Sequence, residues 1–114
     1  MTRIVPITLL LVLGLAGSVA AQDAAKLDKG KQVYAAQKCQ ACHSVAGIGN
    51  KKGALDDVGA RLKEDAIRQW IVSAPDMAAK AKADRKPPMP AKFASLPKDD
   101  LDALVAYLSS LKKK

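Results

Sequence analysis

Residues 39–43 read CQACH, and they hold every cysteine and the one histidine of the 114-residue chain. Whatever chemistry uses the two thiols and the imidazole must therefore happen in one place. A disulfide between Cys39 and Cys42 would close a loop of four residues and constrain the unfolded chain very little. The rest of the sequence is poorly equipped to hold a fold by itself. It has one Phe, one Trp and two Tyr, so large aromatic side chains cannot fill a core. A domain of this size buries only about 60–65% of its unfolded surface and is marginal unaided. Small domains in that position usually add disulfides, a metal or a bound group. The CQACH cluster is the place where such a group would attach.

The first 21 residues read as a cleaved secretory signal peptide. Arg3 gives a positive start, Ile4 to Ala16 is an apolar run, and small residues close it in GSVAAQ. The strong apolar run is about 13 residues, short of the ~20 that span a bilayer, so no stable membrane insertion is expected after cleavage. Cleavage is expected after Ala20 or Ala21. Removing 21 of 114 residues leaves 93, the domain 22–114. Arg3 leaves with the leader, so 18 of the 19 basic residues remain against 11 acidic ones, a formal charge of +7.

Along the domain the apolar periodicity is helical throughout. Asp23 to Lys38 reads as a helix with Leu27, Gly30 and Tyr34 on one stripe. Gly30 inside a helix costs about 1 kcal/mol against Ala, which points to close approach of another backbone. Residues 47–59, GIGNKKGALDDVG, read as an irregular loop. Glu64 to Ala74 reads as a second helix, stopped by Pro75, and Asp76 to Lys86 as a short polar one. KPPMP cannot be helical, because its prolines remove N–H donors and hold the chain extended. The last helix starts at Pro97 and carries Leu101, Leu104, Val105, Leu108 and Leu111 at the 3.6 period, with Asp99 and Asp100 at its positive end and Lys112 to Lys114 at its negative end. No strand pattern is visible. The expected fold class is all-α, about four helices with long loops, and loops this long in a small domain usually wrap a ligand or carry function.

Cys-x-x-Cys-His is the attachment signature of c-type haem. Two thiols three residues apart can add to the two vinyl groups on one side of a porphyrin, and the next residue then offers its imidazole to the iron. Cys39 and Cys42 are the thioether candidates and His43 the proximal iron ligand. Three other readings use the same residues. A redox-active dithiol needs a thioredoxin-like alternation of strands and helices. A zinc site needs a second pair of ligands, which the chain lacks. A simple structural disulfide is also compatible with export.

Haem iron has a second axial position, and no second histidine exists. The soft donors left in the domain are Met77 and Met89. A His/Met pair is what electron-carrying c-type cytochromes use. Met89 sits in PPMP, where prolines on both sides lower the entropy cost of holding a thioether in place. Met77 lies in the short Ala- and Lys-rich helix, where a Met commonly fills packing gaps. Met89 is the favoured metal ligand beside His43; Met77 and an open sixth position are the alternatives.

With these residues in place, the chain resembles a class I c-type cytochrome of the small bacterial, periplasmic kind. GKQVYAAQKCQACH is similar to the first helix and attachment site of that family, GARLKEDAIRQWIVSAP to its middle helix, PPMP to its methionine loop, and LPKDDLDALVAYLSSL to its closing helix. The resemblance implies the cytochrome c fold wrapped round one covalently bound haem, with the first and last helices crossing where Gly30 and Tyr34 meet Leu104 and Tyr107. It makes Trp70 and Arg61 candidates for binding the haem propionates. Trp70 also reads as a core aromatic and Arg61 as a solvated surface charge. Family members often carry a Pro in the loop after the attachment site; here Ala54 stands in KGALDD, and a carbonyl near Gly53 or Ala54 is expected to accept from the His43 ring.

The function these features imply is a periplasmic one-electron carrier and not an enzyme by itself. No acid, base or nucleophile constellation is visible. Two alternatives remain: a haem subunit bound permanently to a periplasmic oxidoreductase, and a gas-binding or sensing haem protein with an open sixth site. The expected partners are periplasmic redox proteins with acidic docking surfaces, which Lys38, Lys51, Lys52, Lys86 and Lys92 could steer. Nucleic acid is not expected, since no basic motif with interleaved aromatics occurs.

Overall fold

The computed structural model of the chain describes residues 18–113, with side chains from Asp23 onward. Most of the expected leader, residues 1–17, lies outside the described residues. Five α-helices carry the described chain: α1 (Ser18–Ala36), α2 (Val58–Arg61), α3 (Glu64–Val72), α4 (Ala74–Ala81) and α5 (Lys98–Ser109). Three short 3-10 turns and a minimal β-hairpin fill the connections. Among the described residues no helix is long and apolar enough to cross a membrane.

The largest helix contact is between α1 and α5. Gly30 makes it possible. A Cβ built on Gly30 would overlap the Ala103 carbonyl oxygen and stand 2.5 Å from Tyr107 Cβ. On this contact Tyr34 and Tyr107 pack edge to face, with ring centroids 5.8 Å apart, a geometry that aromatic quadrupoles favour. Val33, Tyr34, Leu104, Val105, Tyr107 and Leu108 from these two helices join Ile67 and Ile71 of α3 in one core. The i, i+3, i+4 spacing of α5 puts Leu104, Val105, Tyr107 and Leu108 inward together.

The structure corrects several boundaries. α1 stops at Ala36, two residues before the expected Lys38, because Lys38 takes a left-handed conformation (φ 57°). α3 stops at Val72, before Pro75 is reached, and Pro75 lies in the first turn of α4. A proline inside a continued α3 would collide with the carbonyl four residues back, whereas a first turn needs no N–H from it. α4 ends at Ala81, well short of Lys86. Lys82 is left-handed (φ 53°), its N–H bonds the Ala79 carbonyl at 3.2 Å, and Ala83 N–H bonds the Ala78 carbonyl at 2.9 Å. This is a Schellman closure, normally signalled by a glycine; the sequence offers none there. Lys112 and Lys113 follow the end of α5 and are not part of its last turn, and Lys114 lies outside the described residues.

The segment expected as irregular loop holds more structure than its composition implies. Ser44–Val45 pairs antiparallel with Ile48–Gly49, which corrects the expectation of no strand. Strands of two residues are too short to leave an alternating pattern. The link is the two-residue turn Ala46-Gly47, with φ of 52° and 79°, the sign that right-twisted hairpins require. Ala46 is held in that conformation by its N–H, which donates to Asp56 Oδ1 at 2.6 Å. α2 follows, tied to the chain end. Gly59 N–H donates to the Leu111 carbonyl at 2.7 Å, and Lys113 N–H to the Asp56 carbonyl at 2.9 Å.

Two tests address this core. Gly30→Ala places a methyl group against backbone, and overpacking of this kind costs about 1–3 kcal/mol; thermal unfolding should show a clearly lowered Tm, and an unchanged Tm would remove the contact. The second concerns alkaline pH. Burial, with repulsion from Cys39, Tyr107 and Asp56, pushes Tyr34 up to about 12, and burial raises Tyr107. An unfolded tyrosine ionises near pH 10 (about 10 in model peptides). The folded values are raised, so the stability they confer is full below the unfolded value and is lost as pH climbs through the folded one. The chain has only these two tyrosines, so the ultraviolet tyrosinate signal should rise together with unfolding, and Tyr34→Phe should move alkaline unfolding to higher pH. Tyrosinate forming near the free value with the helices intact would refute this.

Candidate functional site

Cys39 follows the left-handed Lys38 directly and opens a 3-10 turn over Cys39–Ala41. The Cys39 carbonyl accepts from Cys42 N–H at 3.1 Å and from His43 N–H at 2.9 Å. This compact turn brings both thiols and the imidazole together without help from the rest of the fold. Cys39 and His43 then line a cavity with Tyr34, Leu55, Ile71, Met89, Phe93, Leu104 and Leu108. Every helix of the core except α2 and α4 supplies a wall residue, and the 3-10 turn Ala91–Ser95 supplies the buried Phe93.

His43 is oriented by one bond. Its Nδ1–H donates to the Gly53 carbonyl at 2.9 Å. That settles the acceptor expected near Gly53 or Ala54, and it leaves Nε2 with a free lone pair, as a metal-binding imidazole needs. Gly53 is the only residue type that fits here. A Cβ on it would overlap the Arg85 guanidinium and the Cys42 carbonyl oxygen and stand 2.9 Å from His43 Nδ1. The parallel bridge from Ser44 to Ala54, with Leu55 N–H on the Ser44 carbonyl at 2.8 Å, fixes this loop beside the attachment turn. The missing proline is thus replaced by backbone pairing.

The electrostatics favour a neutral ligand set. Burial lowers the His43 pKa; the Gly53 carbonyl opposes this, and the Arg85 guanidinium adds to it. Burial pushes the Cys39 thiol up to about 11, against the pull of its own backbone and of Lys92. A thiol held protonated is a poor nucleophile for disulfide exchange. The described residues also lack the alternation of strands and helices that a redox-active dithiol fold needs.

Met89 reaches the same cavity as His43 and Cys39, and it packs on the core. Met77 lies on α4, away from the cavity wall. Arg61 and Trp70 are not brought to the wall either. Arg61 Nε donates to Asp57 Oδ1 at 2.9 Å on an exposed face, and Trp70 is half-buried on α3 outside the core cluster. Sequence reasoning missed Leu55, Phe93 and Arg85. Phe93 was findable, since it is the lone Phe and follows the PPMP segment by three residues.

The walls fit a haem. They are apolar apart from the Cys39 thiol, the imidazole and the Tyr34 hydroxyl, and that hydroxyl is buried with no hydrogen-bond partner among the described residues. The cytochrome c family profile matches residues 27–112 of the chain. No curated protein and no solved structure gives a significant match. Proteins of that family bind haem c covalently through cysteines, and Cys39 and Cys42 are the two this chain has.

Gly53→Ala tests the construction of the site. The methyl group must displace Arg85, the Cys42 carbonyl or the imidazole, with a cost of about 1–3 kcal/mol for overpacking. The expected result is a lowered Tm and faster solvent exchange of the His43 Nδ1 proton by nuclear magnetic resonance. Wild-type exchange would show that Gly53 does not control the imidazole.

Proposed function

Because the chain belongs to the cytochrome c family, we propose that it is a class I, periplasmic one-electron carrier with a His43/Met89-ligated haem. Bound haem c supplies an iron centre that accepts and gives up one electron. The observation that carries the reading is the convergence of Cys39, His43 and Met89 on one apolar cavity. In this reading Cys39 and Cys42 anchor the group and His43 presents Nε2 to the metal. The Gly53 carbonyl fixes the ring and raises its basicity. Met89, from the proline-stiffened segment, lines the same cavity and would supply the second donor to the iron. Leu55, Ile71, Phe93, Leu104 and Leu108 exclude water, which with a thioether ligand favours a high potential.

Export supports the periplasmic part of the proposal: the first 21 residues have the pattern of a cleaved leader, leaving 22–114 as the working domain. The lysines bear on partners. Lys38, Lys51, Lys52, Lys86 and Lys92 are all exposed. Lys92 Nζ stands 5.3 Å from the centre of the Phe93 ring, at the edge of the cavity. A basic rim of this kind would steer an acidic redox partner and make association fall with salt.

Met89→Leu tests the axial pair. The far-red band of methionine-ligated ferric haem should vanish, the potential should fall and carbon monoxide should bind the reduced protein quickly. Met77→Leu should change none of these. Retention of the band in Met89→Leu with loss in Met77→Leu would reverse the ligand assignment. A wild-type protein that lacks the band and binds carbon monoxide quickly would replace the carrier with a sensing haem protein.

A further inference from the structure

Arg85 was singled out by nothing in the sequence, and its position is unusual. It follows α4 in the segment that leads to Met89, yet its guanidinium returns to the attachment loop, where a Cβ on Gly53 would overlap it. The same hypothetical Cβ meets the Cys42 carbonyl oxygen and His43 Nδ1, so the guanidinium, the thioether residue Cys42 and the imidazole–carbonyl bond share one small space. Arg85 is half-buried. Each ion pair among the described residues involves other cations, namely Lys29, Arg61, Arg68 and Lys98. Arg85 thus brings a positive charge, with no ion-pair partner among the described residues, against the back of His43.

We propose that Arg85 is a positioning residue that sets the reduction potential of the loaded protein, by holding a fixed positive charge on the Nδ1 side of His43. The inference rests on His43 being an axial ligand. One-electron reduction lowers the charge of the loaded site by one, with no proton transferred at His43. A neighbouring positive charge therefore stabilises the reduced form relative to the oxidised one. A second effect has the same sign. A guanidinium beside the Gly53 loop draws electron density from the carbonyl, which weakens the acceptor on Nδ1–H and makes the imidazole a poorer donor to an oxidised metal. The charge is half-buried, so salt screens it less than it screens the exposed lysines. Arg is suited to the task because it stays charged at every pH the fold survives.

A charge within about 4–6 Å of an ionising group shifts its equilibrium by roughly 10- to 1000-fold. Acting through the ring and only half-buried, Arg85 is expected to have a smaller effect than that, about 3- to 10-fold, and tenfold corresponds to about 59 mV for one electron. The test is spectroelectrochemical titration of the haem-loaded wild type, Arg85→Gln and Arg85→Lys, at low and high salt, with the ferric far-red spectrum recorded alongside. Arg85→Gln should shift the equilibrium toward the oxidised form by the stated factor at both salt concentrations, with the axial-ligand spectrum unchanged. Arg85→Lys, which keeps the charge, should recover most of the shift. An Arg85→Gln potential equal to wild type overturns the proposal. So does a shift accompanied by a changed axial spectrum, because Arg85 would then be holding the methionine segment in place. Because the comparison is made within one ligand set, the shift decides the role of Arg85 even if the sixth ligand is not Met89. The Met89→Leu spectra decide that question separately.

Discussion

The contact between α1 and α5 at Gly30 is the constraint on which the remaining structure depends. It brings Tyr34 against Tyr107 and aligns Leu104 and Leu108 with the cavity. It also sets where α1 ends, and so where the attachment turn begins. The left-handed Lys38 turns the chain directly out of α1 into Cys39–Ala41. A displacement of α1 along α5 would therefore carry both cysteines and His43 with it. Burial of this kind is non-directional; the glycine notch supplies the register that apolar surface alone does not.

The second half of the site is held from the other end of the chain. Asp56 stands at the centre. Its carboxylate holds the Ala46 turn of the hairpin, and its carbonyl receives Lys113 from the tail. Three residues on, Gly59 bonds Leu111 and lies too close to the Ser109 carbonyl to carry a side chain. The hairpin that separates His43 from its acceptor Gly53 is thus braced on the end of α5, the same helix that α1 crosses. Both arms of the imidazole–carbonyl bond trace back to one helix, which explains how a loop lacking proline can still orient a ring.

The helical class was legible in the sequence, and so was the meeting of Cys39, His43 and Met89 at one cavity, because each rests on spacing within a short window. CQACH is a five-residue chemical pattern, and the stripe of α5 is a clean 3.6-residue repeat. What stayed hidden depends on conformation without a side-chain signature. Lys82 closes α4 and Ala46 forms half of a hairpin turn, both in a region where glycine or asparagine is expected. Gly53 as acceptor could be narrowed to two carbonyls and no further, since backbone oxygens are identical in sequence. Arg85 was invisible for a different reason. Its partners, Gly53 and His43, lie more than thirty residues earlier in the chain, and no periodicity links a loop cation to a backbone hydrogen bond.

The distribution of aromatic residues links composition to function. Of the one Phe, one Trp and two Tyr in the chain, Tyr34 and Phe93 line the cavity and Tyr107 packs behind Tyr34. Only Trp70 lies away from this group. A globular domain that relied on its own side chains would spread its large rings through the core, where each buries the most area. Here they are spent on the walls and backing of one space, and the remaining core is built from Val, Leu and Ile. The aliphatic residues and the rings face inward around a region the chain does not fill with its own atoms. A flat, apolar, covalently tethered group supplies the missing contact area to all of these elements at once. On that account the scarcity of aromatics and the crowding of thiols and imidazole into CQACH have one cause: the haem provides the large ring at the centre of the fold, and the protein provides the edges.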